Sequence, residues 1–269
     1  MLVATPLALS FYYSFTNRNL LAPRAEFVGV DNYARLLTDA NFLGGFAFTS
    51  VLTVINLVLV NVVGLGIALL LNKVGRTYFA MRMIIFVPVV LSGVIVAFIW
   101  SRILTDRGVL NTALRATGLG DWTLSWLGTP LTAQASVILV TTWQALGLCV
   151  VVYLAGLQTI PLELIDAARI DGGGLIAVFR HVTWPLLAPS LTVNTTLLLI
   201  NGFKTYDIPV VLTGTGPGGA TETVATEVMR VGFELNRVGL ASAMAIIMLL
   251  VVAFVTTVVV GYLQRREQS

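Results

Sequence analysis

The feature that most constrains this chain is a series of apolar runs long enough to cross a bilayer. A transmembrane helix needs about 20 apolar residues, and residues 46–71 exceed that length without one charged side chain. Five other runs share this apolar character, at residues 1–15, 83–100, 133–157, 186–212 and 238–263. The chain is 57% hydrophobic and 11% charged, whereas soluble domains carry about 25% charged residues. We therefore predict an all-α polytopic membrane protein with six transmembrane helices in a single domain covering residues 1–269.

Three of these runs are irregular. Residues 1–15 are short for a span and have neither a basic leader nor a cleavage site, so we expect a first span trimmed in this sequence or set by a late start codon, not a signal peptide. Pro88 predicts a kink in the third span, which neighbouring helices can tolerate. The fifth span continues less cleanly past residue 203, where four unfavourable residues follow: Lys204, Tyr206, Asp207 and Pro209.

Small and polar residues inside the spans predict contacts between helices. Gly64 and Ala68 form a pair of small residues four apart, which lets a second helix approach closely. Asn56 and Asn61 are costly in lipid, so we expect them to face protein or a transport pathway. Cys149 lies in an apolar run, and we expect it to be a buried small hydrophobic residue.

The distribution of basic residues predicts which loops face the cytoplasm. The loops at residues 72–82 and 158–184, together with the C-terminal tail, contain seven bases: Lys73, Arg76, Arg82, Arg169, Arg180, Arg265 and Arg266. The loops on the opposite side contain nine bases and nine acids, so the whole net charge of +3 lies on the first side. Because cytoplasmic loops are enriched in Lys and Arg, we expect the loop at residues 158–185 to be cytoplasmic.

That loop is one of the few polar segments, and its sequence predicts two short helices around a bend. Residues 162–170 are good helix formers, with Glu163 and Asp166 in the first turn, where acids suit the positive end of the helix dipole. Three consecutive glycines at residues 172–174 then break the helix. A second helix, at about residues 175–182, should end or kink at Pro185. We expect this bent segment to lie outside the bilayer between two spans.

The loop resembles the cytoplasmic loop of binding-protein-dependent ABC importer permeases. That family has the pattern Glu-Ala-Ala, Asp-Gly-Ala, Phe and Ile-x-Leu-Pro, and the matching residues here are Asp166-Ala167-Ala168, Asp171-Gly172-Gly173, Phe179, Val182, Trp184 and Pro185. The departures, at residues 166, 173, 182 and 184, largely keep charge or hydrophobic character. In that family the loop is the coupling helix that docks on the ATPase subunit. The resemblance therefore implies eight ATPase-coupling residues: Glu163, Asp166, Ala167, Ala168, Asp171, Gly172, Phe179 and Pro185. From spacing alone, an ordinary amphipathic loop between spans is equally compatible.

The resemblance extends over more than the loop. Residues 27–39 and 212–223 resemble segments of sugar-importer permeases, and residues 27–269 together resemble one permease of a two-permease carbohydrate importer of the maltose or glycerol-phosphate kind. This implies a type I ABC importer permease fold in the bacterial inner membrane, in multi-pass form. It also implies a second homologous permease, two ATP-binding cassette subunits and an extracytoplasmic solute-binding protein as partners. ATP and Mg would then be used by the partner subunits, with no cofactor bound by this chain.

Other residues argue against an enzyme. The sequence has no Gly-x-x-x-x-Gly-Lys-Ser/Thr loop to hold nucleotide phosphates, and the glycine-rich residues 214–219 lack the βαβ pattern of a dinucleotide site, so we expect a flexible outer loop there. With one histidine, His181, and one cysteine, no Ser/His/Asp or Cys/His set is available, and we interpret His181 as a solvated loop residue. No acid pair within a span resembles a proton relay.

Seven polar or aromatic residues in or near the fourth and fifth spans are candidates for a substrate pathway: Trp143, Gln144, Asn194, Asn201, Lys204, Tyr206 and Asp207. An aromatic ring and amide groups suit a neutral polyol, because its CH faces stack on the ring and its hydroxyls pair with amides. Hydrogen bonds between helices are the alternative for each residue, and Lys204 and Asp207 could instead pair with each other.

We therefore predict a permease subunit of an ATP-driven carbohydrate importer, which forms half of a translocation pathway. Two alternatives stay open at this stage. One is an ion-gradient-driven secondary transporter. The other is an importer of glycerol phosphate or another polar solute.

Overall fold

The structure is mostly helical in the part that it describes. The computed structural model describes residues 4–22 and 24–267, without the side chains of Arg266 and Glu267. The α-helices are α1 (Ala4–Ser14), α2 (Asp31–Leu36), α3 (Ala40–Leu71), α4 (Arg76–Val90), α5 (Gly93–Ile103), α6 (Val109–Ala116), α7 (Pro130–Gln158), α8 (Leu162–Ile170), α9 (Leu175–Val178), α10 (Trp184–Leu186), α11 (Ala188–Phe203), α12 (Asp207–Thr213), α13 (Val224–Met229) and α14 (Val238–Glu267). The only β pairing among these residues is an isolated bridge between Thr16 and Phe27.

The helices long and apolar enough to cross a membrane agree with most of the predicted spans. Three do so unbroken, at Ala40–Leu71, Pro130–Gln158 and Val238–Arg265. Two more spans are possible if each of two bent helix pairs counts as one span. The predicted first span begins with residues 1–3, which lie outside the described residues, and α1 covers only Ala4–Ser14, about half the length that a span needs. The described chain therefore has up to five spans by length and composition, one fewer than predicted.

The third predicted span is broken, but not by a simple kink at Pro88. Pro88 lies inside α4, and the break follows at residues 91–92, where α4 and α5 meet at 101°. Leu91 is extended, with ψ of 139°, so its carbonyl does not accept a hydrogen bond within a helix. Gln144 Nε2 donates to that carbonyl at 3.1 Å. A neighbouring helix thus satisfies the freed backbone group, which broken helices in membranes require.

The segment that leads into the fifth predicted span is also irregular. The chain is α-helical to Val178, widens into a π-helical turn at Phe179–Thr183, and continues through α10. The second short helix is therefore helical from Leu175 to Leu186, and the distortion expected at Pro185 takes the form of a π-helical turn before it and a bend after Leu186. Because Pro185 has no N–H, it cannot donate to the carbonyl four residues earlier, which accounts for a distorted turn there. The helix then bends by 61° into α11, which ends at Phe203.

The chain divides into two compact units by internal contacts. The first unit comprises residues 1–53, 93–140 and 201–254. Its core includes Leu36, Phe42, Val224, Val231 and Met244, and α12 packs against α5. Gly239 is the second residue of α14 and lies within the same unit, and a Cβ there would overlap the Thr16 carbonyl. This contact agrees with the close packing expected of a small residue in a span.

The second unit comprises residues 54–92, 141–200 and 255–269. Its core includes Val60, Cys149, Tyr153, Leu157 and Leu187. Cys149 is buried, as predicted, and a Cβ on Gly64 would lie 2.8 Å from its sulfur. Gly64 therefore allows α3 and α7 to approach closely, which confirms the prediction from the small-residue pair.

Both asparagines of α3 bond to α7 within the second unit. Asn56 Nδ2 donates to Thr141 Oγ1 at 2.9 Å, and its Oδ1 accepts from Thr142. Asn61 accepts from the Tyr153 hydroxyl at 2.7 Å. The expectation that these amides face protein is confirmed, since each has a partner on the neighbouring helix.

The glycine-rich residues 214–219, where we expected an outer loop, are exposed or half-buried, whereas the residues that follow them to Gly232 are largely buried in the first unit. Four glycines, at 214, 216, 218 and 219, have positive φ, and Thr213 and Thr221 join their hydroxyls at 2.7 Å. Thr223 caps α13 through a reciprocal bond with Thr226, a pairing that satisfies free helix donors. Val224 N donates to Thr49 Oγ1 at 3.0 Å. Local side-chain bonds and burial therefore fix the residues after the glycine-rich loop to the first unit.

Candidate functional site

The bend between α8 and α9 is built by a specific helix-terminating motif. Gly172 has φ of +84°, the left-handed region that glycine adopts without a steric penalty. Its N–H donates to the Arg169 carbonyl at 3.0 Å, and the Gly173 N–H donates to the Ala168 carbonyl at 2.9 Å. These two bonds are those of a Schellman motif, which satisfies the last carbonyls of a helix. The predicted helix over Leu162–Ile170 and the glycine bend after it are both confirmed.

An exposed apolar surface surrounds this bend. We call it the α8–α9 patch and define it by five residues: Leu162, Leu164, Ile170, Leu175 and Ile176. Ile170, Leu175 and Ile176 are each more than 80% exposed. Ile165, by contrast, packs against the core of the second unit and fixes α8 to it. Contiguous exposed apolar residues on a rigid support mark interaction surfaces.

Charged side chains border the α8–α9 patch. Glu163, Asp166, Arg169 and Asp171 are all exposed, and Asp166 pairs with Arg169 at 3.4 Å. An exposed pair of this kind contributes little to stability. Four charges on and just after α8 exclude this helix from the hydrocarbon of a bilayer, where each would be costly.

The other predicted coupling residues occupy both faces of the bent segment. Ala167 is exposed, whereas Ala168 is half-buried. Phe179 is half-buried, with its ring centroid 6.2 Å from that of Trp184. Pro185 is exposed. His181, which we interpreted as a solvated loop residue, is exposed on the π-helical turn.

Three of the predicted pathway residues lie in the second unit, and the bonds of Gln144 and Asn194 join neighbouring helices. Gln144 caps the Leu91 carbonyl at the α4–α5 break, as described above. Asn194 is buried, and its amide donates to the Cys149 carbonyl at 3.3 Å. Trp143 is half-buried on α7. For Gln144 and Asn194, the alternative of helix–helix hydrogen bonding is therefore realised in this conformation.

The remaining four lie in the first unit, at the end of α11 and the start of α12. Asn201, Lys204 and Asp207 are exposed, and Tyr206 is half-buried. Among the described residues, no ion pair joins Lys204 to Asp207. Asp207 instead lies against Gly93, where a Cβ would come within 3.1 Å of the Asp207 Cβ. This glycine allows the start of α12 to approach α5.

Sequence reasoning missed a charged network in the packed segment before α14. Arg230 donates to both oxygens of Glu227, at 2.6 and 2.7 Å, and to Glu222 at 2.8 Å. Burial and the neighbouring Glu222 raise the pKa of Glu227 to about 7, and Glu227 in turn raises the pKa of Arg230. The pairing of Glu227 with Arg230 could have been predicted, because residues three apart on a helix are neighbours. The contact of Arg230 with Glu222 could not, because it depends on how the chain folds before α13.

Comparison with known proteins places these features in a family. Residues 60–269 match the family described as binding-protein-dependent transport system inner membrane component. The chain belongs to this family. In this inner membrane component, the matched residues include α4 to α14, and therefore the whole α8–α9 segment with its bordering charges.

Several relatives of this inner membrane component match over nearly the whole chain. The "Probable starch degradation products transport system permease protein AmyD" of Thermoanaerobacterium thermosulfurigenes is 36% identical, over 99% of this chain and 90% of its own length. The "Multiple sugar-binding transport system permease protein MsmF" of Streptococcus mutans is 35% identical, over 93% and 86%. The "Trehalose/maltose transport system permease protein MalF" of Thermococcus litoralis is 31% identical, over 95% and 86%.

Solved structures share the fold of this inner membrane component. A chain of a bacterial ABC transporter involved in the import of the acidic polysaccharide alginate aligns with a TM-score of 0.82, at 22% identity, over 99% of this chain and 89% of that one. A second structure, of a bacterial alginate ABC transporter in complex with alginate pentasaccharide-bound periplasmic protein, also gives 0.82. The predicted type I permease fold is confirmed.

Proposed function

We propose that this chain is one permease subunit of an ATP-driven importer for a carbohydrate. It would form half of the translocation pathway and pair with a second, homologous permease. Two ATP-binding cassette subunits would bind it from the cytoplasm, and an extracytoplasmic solute-binding protein would deliver the substrate. The bilayer would be the bacterial inner membrane, with the basic loops inside.

The observation that carries this proposal is the α8–α9 patch. Its apolar residues are exposed on a helix whose four neighbouring charges keep it out of lipid. An exposed apolar surface that is kept out of the lipid is more favourably covered by a protein partner than by water. The sequence has no phosphate-binding loop of its own, so an ATPase partner would supply the energy, together with its own ATP and Mg.

The substrate class is supported by the relatives. Those described above are named for starch degradation products, multiple sugars, and trehalose or maltose. The polar residues on α7 and α11, with one aromatic ring at Trp143, suit a neutral polyol better than an anion, because no dense cluster of bases accompanies them.

The mechanism would be mechanical. Closure of the ATPase dimer around ATP would move the α8–α9 segment as a lever, because the Schellman motif fixes its bend and Ile165 packs it against the core of the second unit. The helices would then change from inward-open to outward-open by rigid-body motion, as in alternating access. The eight predicted coupling residues are the candidates for transmitting force from the ATPase, and the seven predicted pathway residues are the candidates for lining the route of the substrate.

Co-isolation followed by reconstitution tests the proposal. The tagged chain is purified from its native membrane in mild detergent, and the subunits are identified by mass spectrometry. We expect a P-loop ATPase and a second permease, and uptake of a maltooligosaccharide into vesicles that requires Mg-ATP and the binding protein. Gradient-driven uptake by the chain alone would contradict the proposal and support a secondary transporter.

A further inference from the structure

An apolar groove lies where α3 and α4 meet, within the second unit. It has a volume of about 570 Å³ and is formed by the last turns of α3 and the first turns of α4. Leu70, Met81 and Ile84 line it, and Leu70 and Ile84 are each at least 70% exposed. Its volume falls in the range of about 300–1,000 Å³ typical of small-molecule sites. The groove is thus large enough for a ligand and open along its length.

One end of this groove is strongly basic. Lys73 lines that end, with its Nζ 5.7 Å from the centroid of the Tyr78 ring. Arg82 is fixed beside it, because its Nη2 donates to the Leu71 carbonyl at 2.7 Å and to the Lys73 carbonyl at 3.1 Å. Residues 72–82 contain three bases and no acid. Among the described residues, no ion pair involves Lys73, Arg76 or Arg82.

The start of α4 adds to the positive potential at the same end. This helix of 15 residues begins at Arg76, directly after Gly75, which provides no side-chain cap. The first N–H groups of a helix carry partial positive charge and favour an anion. Two cationic side chains and an uncapped helix start therefore converge where α3, a membrane-spanning helix, reaches its end.

We infer that this groove binds one anionic phospholipid, an inference that rests on the membrane placement in the proposed function. An acyl chain lies along Leu70, Met81 and Ile84, and the headgroup phosphate meets Lys73 and the start of α4. A free phosphate would leave the apolar groove empty. A transmembrane helix of a partner subunit would cover the groove but leave the bases without a counter-charge. A lipid with a negative headgroup fills the apolar groove and neutralises its basic end, and cytoplasmic leaflets contain such lipids.

The test counts lipid molecules on the purified protein, together with whatever subunits co-purify, by native mass spectrometry after exchange into detergent with phosphatidylglycerol or phosphatidylcholine. We expect one retained phosphatidylglycerol per chain and no retained phosphatidylcholine. The variant Lys73→Gln should weaken retention about five-fold, the loss expected for one base at an anionic surface. Its matched control is Arg265→Gln, which removes an exposed base at the end of α14 and should leave retention unchanged.

A second pair of variants tests the apolar part. Leu70→Trp fills the groove and should abolish retention, whereas Val62→Trp alters an equally exposed position of α3 outside the groove and should not. Three results would overturn the inference: equal loss in Arg265→Gln, displacement of the lipid by inorganic phosphate alone, or a photo-cross-link to a partner subunit from a thiol-reactive photoprobe attached to Ile84→Cys in the lipid-free groove. The lipid count does not depend on transport, so failure of the proposed function would be recognised separately.

Discussion

Arg230 binds Glu227 through both carboxylate oxygens, at 2.6 and 2.7 Å, although Glu227 is only 2% exposed. The same guanidinium also binds Glu222 at 2.8 Å. Two acids therefore share one base in the segment that packs α13 into the first unit. Because removing a charge from water is costly, this cluster favours a proton on one of the acids.

The stability of the protein should depend on the protonation of Glu227. Its folded-state pKa is raised to about 7, by burial first and by Glu222 second. Between about pH 4.5 and 7 the folded state then holds a proton that the unfolded state has released, so stability falls as pH rises through this interval. We expect thermal unfolding in detergent to occur at a higher temperature near pH 5 than near pH 8, and Glu227→Gln to remove much of that difference.

The matched control for this experiment is Glu234→Gln, which alters an exposed acid of the same segment. It should keep the wild-type dependence on pH. The same profile in wild type and in Glu227→Gln would show that the proton is not held there.

The Gly172 turn should be required for coupling. Proline fixes φ near −65° and has no N–H, whereas Gly172 has φ of +84° and donates to the Arg169 carbonyl, so Gly172→Pro cannot form the Schellman motif. We expect ATP hydrolysis by the reconstituted importer to continue while carbohydrate uptake is lost. Ala168→Asp should have the same effect, because it places a charge at a half-buried position beside the turn.

Gly174→Ala provides the control for the turn. Gly174 has φ of −70°, and a Cβ there meets no atom within 4 Å. Both activities should persist in this variant. Normal uptake by Gly172→Pro in vesicles would contradict a mechanical role for the bend.

Gln144 should act by supporting the broken span. Gln144→Leu leaves the part-buried Leu91 carbonyl without its partner, and the loss should not exceed the cost of about 1–3 kcal/mol for a fully buried unsatisfied acceptor. We expect a lower unfolding temperature in detergent. Asn201→Leu is the comparison, since Asn201 is exposed and its replacement should leave the unfolding temperature almost unchanged. An altered KM for uptake with unchanged stability in Gln144→Leu would instead favour direct contact with substrate.

The sequence predicted the parts of the fold that depend on local composition. The apolar runs located α3, α7 and α14, because a span is defined by length and hydropathy. Leu162–Ile170 and the bend at Gly172 followed from helix propensity and glycine conformation. Gly64 followed from the spacing of small residues, which its contact with Cys149 confirms.

The rest depended on tertiary contacts that no local pattern encodes. The 101° break after Val90 lies past Pro88 because Gln144, more than 50 residues away, satisfies the Leu91 carbonyl. No local pattern showed that Thr49 and Thr205 bind Val224 and Thr223, which follow the glycine-rich loop. The roles of the amide side chains in the spans were also ambiguous, because an amide can form the same hydrogen bonds with a partner helix as with a substrate.

The most direct test of the central claim is a cross-link from the α8–α9 patch. Ile176, 82% exposed, is replaced by cysteine, and buried Cys149 is left in place. The thiol is tested in spheroplasts with a membrane-impermeant reagent, and in membranes with a bifunctional thiol cross-linker. We predict no labelling from outside and a covalent adduct with a P-loop ATPase subunit. Labelling from outside, with no such adduct, would contradict the account.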